Sequence, residues 1–260
     1  MKIQEISDLA DPGIAPYVGL TDREMRRSDI FVAESPKVIS TALDSGLKPL
    51  SFLCERKHIE GDAADVISRS PDITVYTGSR ELLASITGYT LTRGVLCAMK
   101  RPEPLDAASL LSGAKRVCVV YDVCDSTNVG VIFRTAAALG YDAVILSSTS
   151  CDPLNRRVIR VSMGTVFRIP WAMAPDVAGL LKETGFKSVS MALTERSVSL
   201  EDFSVDADER YALLLGSEGY GLPQKVIDGS DVVIRIPMHY GVDSLNVGAA
   251  AAIALWTFRK

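Results

Sequence analysis

The sequence predicts an α/β protein: a mostly parallel sheet with helices on both faces, preceded by a smaller α/β domain. Three observations predict it. Short apolar runs recur through the second half, at 116–121, 143–147, 165–170, 187–192, 211–216 and 232–236. Segments of helical period separate them, at 129–139, 154–162, 176–184, a short one near 223–228, and 246–259. This regular alternation is the signature of βα units and a parallel sheet. Finally, Arg101-Pro102-Glu103-Pro104 places two prolines within three residues, a stiff linker. The boundary follows near residue 105, giving domains 1–105 and 106–260.

In the first domain, Asp11-Pro12-Gly13 reads as a turn, and Thr21-Asp22-Arg23-Glu24 as a capping box opening a short helix. Phe31-Val32-Ala33 reads as a strand. Ser35-Pro36 then caps a helix in which Val38, Ile39, Ala42 and Leu43 share one face, and Gly46 stops it. Leu50–Cys54, Ile73–Tyr76 and Gly94–Met99 read as strands, with helices at Asp62–Ser68 and Arg80–Ile86. Such alternation makes a small layered α/β domain.

Composition bounds the function. The chain has 260 residues, 47% of them hydrophobic, a net charge of −4 and a pI near 5.3. A nonspecific nucleic-acid binder is normally basic, so only a local basic patch fits. The charge divides evenly between the halves, so neither is a polybasic arm. No run reaches membrane-spanning length, and the amino terminus lacks the apolar core of a signal peptide. The expectation is a soluble, cytoplasmic protein. Five cysteines form no CxxC pair, and the two histidines, His58 and His239, lie far apart. They read as reduced core thiols and isolated histidines, with no metal site.

Three stretches each run from an apolar strand into a polar, glycine-bearing turn: Val117–Gly140, Tyr211–Pro223 and Val232–Trp256. Carboxyl ends of strands leading into helix amino termini are where open α/β sheets bind ligands. Most such corners are only corners, and three in one domain are harder to dismiss. In the first, Asn128 can cap the following helix, whose apolar face is Val129, Ile132, Phe133 and Ala136. Arg134 lies on a different face, as a salt-bridge partner or a reader of phosphate. In the second, Gly-Ser-Glu-Gly-Tyr-Gly allows positive φ and close backbone approach, but lacks the GxGxxG order of a dinucleotide site. In the third, Pro237 ends the strand, and Ser244 and Asn246 sit at the mouth of an alanine-rich helix as caps. Between these corners, Arg156, Arg157 and Arg160 form the most concentrated basic surface, either a solvated face or an RNA phosphate contact.

In this order the wording resembles the SpoU (TrmH-type) branch of the SPOUT RNA methyltransferases. The matching residues are Asn128, Gly130, Arg134 and Gly140; Gly216, Glu218, Gly219, Gly221 and Leu222; and Ile236-Pro237-Met238 with Ser244-Leu245-Asn246-Val247. The match is close over the last 155 residues and loose over the first hundred, where Phe31–Leu43 is similar to the ribosomal-protein-like module that often precedes this catalytic domain. The resemblance implies a carboxyl-terminal trefoil knot and a homodimer built from helices such as 129–139 and 246–259. It further implies S-adenosylmethionine as methyl donor, and transfer to a ribose 2'-hydroxyl of RNA, either rRNA or tRNA. The catalytic set it implies is Asn128, Arg134, Glu218, Ser244 and Asn246. Leu193, Gly216, Ile236, Met238 and Leu245 would touch the donor; Arg156, Arg157 and Arg160 would touch RNA. The family proposal that the arginine acts as a base sits badly with a guanidinium pKa above about 12; positioning phosphate or stabilising an alkoxide is easier. Glu218 would hold the site together, or serve only as a buried carboxylate accepting backbone N–H bonds. His239 is given no role. Departures are Ser35 where the module often has glycine, Gly248 in place of a small polar residue, and no acidic tail after Lys260. The competing reading is an RNA-binding module of the same fold that has lost catalysis.

Overall fold

The computed structural model describes residues 1–18, 29–87 and 94–259. The capping box at Thr21–Glu24 lies outside them. The chain forms two compact units, one of residues 1–103 and 154–167, the other of 104–153 and 168–260.

The first unit holds a five-stranded mixed sheet. Its strands are β1 (Lys2–Glu5), β2 (Ile30–Glu34), β3 (Pro49–Cys54), β4 (Thr74–Thr77) and β5 (Val95–Lys100), in the order β1-β4-β3-β5-β2. The first three in that order run parallel, and β5 and β2 add antiparallel pairs. Helices α1 (Pro36–Asp44), α2 (Arg56–Ile59), α3 (Ala64–Ser68) and α4 (Arg80–Thr87) connect or flank the strands. A 3-10 turn, Pro12–Tyr17, buries Ile14 and Tyr17; the Tyr17 hydroxyl receives the N–H of Ala98 and donates to the carbonyl of Ser51. Ser35 does precede the helix, but its side chain makes no cap bond. Its backbone sits at φ 80°, ψ 146°, a region that glycine alone adopts readily.

The second unit holds a fully parallel seven-stranded sheet. In chain order its elements are α5 (Ala107–Leu111), β6 (Arg116–Val120), α6 (Ser126–Ala138), β7 (Ala143–Ser147), β8 (Trp171–Ala174), α7 (Val177–Glu183), β9 (Lys187–Met191), β10 (Val198–Ser199), β11 (Tyr211–Leu215), α8 (Gln224–Gly229), β12 (Val232–Arg235) and α9 (Val247–Thr257). The order across the sheet is β10-β12-β9-β11-β6-β7-β8. Alternate strand residues Val117, Val119, Ala212 and Leu214 join one core with Leu111, Val177, Leu181, Val226 and Ile227 from the short helices. By the period of two, the intervening residues face the opposite side, where α6 and α9 pack on one another. A Cβ at Gly248 would lie 2.9 Å from Val131 Cγ1, so glycine there lets the two helices close. Among the described residues no helix is long and apolar enough to cross a membrane.

Two expectations shift. The strand expected at 165–170 is a 3-10 turn, Thr165–Phe167, and the strand begins only after Pro170. Proline donates nothing to a ladder, whereas its carbonyl accepts from Val144 at 3.0 Å and opens the pairing. The helix Arg156–Val161, expected among the second domain's elements, groups with the first unit.

Candidate active site

Three of the second unit's corners meet at the carboxyl ends of β11, β12 and β6. Each is shaped by a local device. After β6, the helix α6 starts three residues earlier than its apolar period suggests, because Asp125 is the cap: its Oδ1 receives the N–H of Asn128 at 2.9 Å. Asn128, expected to cap, stands inside the first turn, and its side chain is released for other work. After β11, the chain folds back on itself, with Ser217 and Gly221 exchanging backbone hydrogen bonds of 3.2 and 2.9 Å. A Cβ on Gly216 would lie 2.3 Å from the carbonyl carbon of Gly221, so glycine is required there by the loop's own closure. After β12, the loop ends at Asn246, whose Oδ1 receives the N–H of Gly248 at 2.9 Å. Asn246 is the cap of α9; Ser244, also expected as a cap, lies two residues upstream and exposed.

A chain of hydrogen bonds ties the three corners together. Asn246 Nδ2 donates to Asn128 Oδ1 at 2.9 Å, and Asn128 Nδ2 donates to Glu218 Oε1 at 2.5 Å. Residues 118 and 90 positions apart are thereby joined through one amide. The polarity is determined from both ends. Asn246 spends its oxygen on the helix terminus, so only its nitrogen is left to donate; an ionised Glu218 can only accept. Asn128 is 8% exposed. Glu218 is exposed and bound by a side chain, so it is not a buried carboxylate satisfied by backbone N–H groups.

Beside this chain lies a cleft of about 730 Å³. Leu193, Gly216, Ile236, Met238 and Leu245 all line it, as do Glu218, Ser244 and Asn246. Asn128 bonds to two of these lining residues without lining the cleft itself. Its volume is within the roughly 300–1,000 Å³ of small-molecule sites, and its mixture of aliphatic side chains with exposed backbone suits a flat heterocycle. Sequence reasoning missed Met191, Tyr220, Arg235 and Asp243, which also line the cleft. Their signal was positional: each adjoins a strand end or loop already singled out.

Other expected residues stand apart. Arg134 is exposed on α6, outside the cleft, and makes no ion pair among the described residues. Arg156 is half-buried and paired with Glu34 at 3.1 Å, while Arg157 and Arg160 are exposed. His239 is exposed in the third loop, its ring edge-on to Tyr240. Of the cysteines, Cys54, Cys97 and Cys118 are buried, and Cys124 is exposed.

Comparison with known proteins bears on this arrangement. An "uncharacterized tRNA/rRNA methyltransferase" of Mycobacterium bovis is 37% identical, over 98% of this chain and 91% of its own. The 23S rRNA (guanosine(2553)-2'-O)-methyltransferase RlmP of Bacillus subtilis is 27% identical over 92% of both. An AdoMet-bound rRNA methyltransferase from Sinorhizobium meliloti superposes with a TM-score of 0.85 at 26% identity, covering 98% of this chain and 97% of that one. The model of the SpoU rRNA Methylase family matches residues 115–256, the stretch that contains all three corners and the cleft between them, and with these relatives it shows that the chain belongs to that family.

Proposed function

We propose that this protein transfers a methyl group from S-adenosylmethionine to a ribose 2'-hydroxyl of ribosomal or transfer RNA. The observation that carries the reading is the Asn246–Asn128–Glu218 hydrogen-bond chain at the edge of a cleft of cofactor size. The cleft residues fit the donor. Leu193, Ile236 and Leu245 offer apolar walls for adenine, and the strand-end backbone offers hydrogen bonds. When bound, the donor supplies an activated methyl on a sulfonium, whose leaving thioether is neutral. The chain's own task is then orientation, which can supply much of a rate. Asn128, fixed at both ends, holds Glu218 in place; Glu218 and Ser244, both exposed at the cleft, receive and align the sugar hydroxyl. An inactive RNA-binding module would have no need of this bonded arrangement.

Arg134 completes the site in a homodimer. Helix α9 is apolar all round, yet one stripe, Ala249, Ala252, Ile253 and Trp256, is exposed, with Ile253 at 41% and Trp256 at 56%. A helix of that character is meant to be covered. Pairing of two copies there, beside α6, brings Arg134 of one copy to the cleft of the other, where a guanidinium binds phosphate or a forming alkoxide. Arg157 and Arg160 contact RNA phosphates from the first unit, and Arg156 positions that helix through Glu34. The protein acts in the cytoplasm.

The test is to map 2'-O-methyl positions in total RNA from cells with and without the protein, alongside calorimetry with the donor. One position should lose its methyl group without the protein, and Arg134→Ala should not restore it. Trp256→Glu should yield a monomer by light scattering and lose transfer. Absence of heat with the donor, or an unchanged methylation map, overturns the reading.

A further inference from the structure

Arg235 is the one positively charged residue among those that line the cleft, and neither its sequence motif nor the proposed reaction gives it a role. It is the last residue of β12 and is exposed. Its backbone is anchored: it pairs with Ser199, and its carbonyl receives the N–H of Leu200 at 2.9 Å. The position is therefore built into the sheet. Among the described residues Arg235 makes no ion pair, although two acids, Glu218 and Asp243, line the same cleft. Glu218 is engaged by Asn128.

We infer that Arg235 binds the α-carboxylate of the methyl donor; this rests on the methyl-transfer reading of the cleft. The charges are complementary in sign. S-adenosylmethionine carries one carboxylate, one ammonium and one sulfonium. The cleft offers one guanidinium and two carboxylates. A donor carboxylate placed in a concave site with two acids and no cation would be repelled; beside Arg235 it gains a charge-assisted partner whose planar fork matches both of its oxygens. An RNA phosphate is the other anion that could reach Arg235. The donor's carboxylate is favoured because it must reside in the cleft with the rest of the donor, whereas the RNA backbone need only pass its mouth.

Calorimetry on the full chain, with S-adenosylmethionine and its decarboxylated analogue and no RNA present, isolates the carboxylate. The wild type should bind the intact donor about tenfold more tightly than the analogue, a modest charge-assisted hydrogen bond for an exposed pair. Arg235→Gln should bind both with the analogue's affinity, and Arg235→Lys should keep part of the preference. A purely structural role would weaken both ligands alike. Equal weakening, or a preference that survives in Arg235→Gln, overturns the assignment and leaves the cation to the RNA. If the wild type binds neither ligand, the methyl-transfer reading itself falls.

Discussion

Replacing Asn128 with alanine tests the central claim, because among the described residues that amide carries the hydrogen bonds that join the third corner to Glu218. Two side-chain hydrogen bonds are lost, one of them to a carboxylate. Their former partners, Asn246 and Glu218, are both exposed, so water takes over the vacated positions and the uncompensated penalty of a buried group does not apply. Helix α6 keeps its cap, since Asp125 bonds the backbone of residue 128 and not its side chain. Alanine also favours the helix. The net loss of stability is therefore about 1–2 kcal/mol, or a fall in Tm of only a few degrees. Catalysis should suffer far more. Glu218 loses the bond that fixes its position, and a misplacement of about 1 Å can cost about a hundredfold in rate. Asn128→Asp keeps the shape but sets a second carboxylate within hydrogen-bonding distance of Glu218, where the two cannot comfortably both ionise; it should fail as well. The assay is transfer of radiolabelled methyl to RNA lacking the modification, with donor affinity by calorimetry and stability by circular dichroism. Transfer in either variant within about twofold of wild type, against the hundredfold loss expected from misplacement, would refute the reasoning.

Four further outcomes are expected. Ser35→Gly should stabilise the first unit, because the strain of φ 80°, ψ 146° costs about 1–3 kcal/mol for a side-chain-bearing residue and glycine's extra unfolded-state freedom offsets only about 0.5–1 kcal/mol of the relief; a thermal melt that falls or stands still contradicts this. Gly216→Ala should destabilise the second unit by about 1–3 kcal/mol and weaken donor binding, since its Cβ would overlap the Gly221 backbone at 2.3 Å; unchanged urea midpoint and affinity would show that the loop yields. Burial pushes the Cys54 thiol up to about 12, with the nearby Glu55 charge adding to it, and burial raises Cys97 and Cys118 too. Near pH 8 iodoacetamide should thus alkylate exposed Cys124 well before these three, as peptide mapping would show. A thiol whose folded pKa is raised contributes stability that is complete below its unfolded value of 9.0. That contribution is lost as pH rises towards 12, so urea midpoints should fall between pH 9 and pH 12; a flat midpoint would contradict it.

How much was legible in the sequence follows from how local each signal is. The parallel sheet was readable because Val117–Val120, Ala143–Ser147 and Tyr211–Leu215 are buried at every position, which leaves continuous apolar runs. Edge elements were not: Lys2–Glu5 and the two-residue Val198–Ser199 are too short and too exposed to show a period. Helix Ala107–Leu111 was missed beside the linker, although Asp106, which receives the N–H of Ser109 at 2.7 Å, was a usable cap signal. The cleft residues Leu193, Gly216, Ile236, Met238 and Leu245 were named from the family resemblance, all but Leu193 through its motifs; composition alone would not have joined them. Arg235 escaped because an arginine ending a strand looks like any solvated charge until its neighbours across the cleft are known.

The errors over caps bear directly on how the site works. Sequence reasoning gave Asn128, Ser244 and Asn246 the task of starting helices, since asparagine and serine favour that position. The fold assigns the task at α6 to Asp125 and at α9 to Asn246. At the first corner, folding and function are thereby separated: Asp125 secures the helix and Asn128 is left to the site. At the third they are combined, because Asn246 uses its oxygen to start α9 and its nitrogen to orient Asn128. The difference has a physical basis. The backbone N–H at the start of α9 fixes which way the Asn246 amide points, and that fixes the Asn128 amide, which presents its N–H groups towards Glu218. The dipole of a helix terminus and the position of a carboxylate in a distant loop are in this way set by one continuous line of hydrogen bonds.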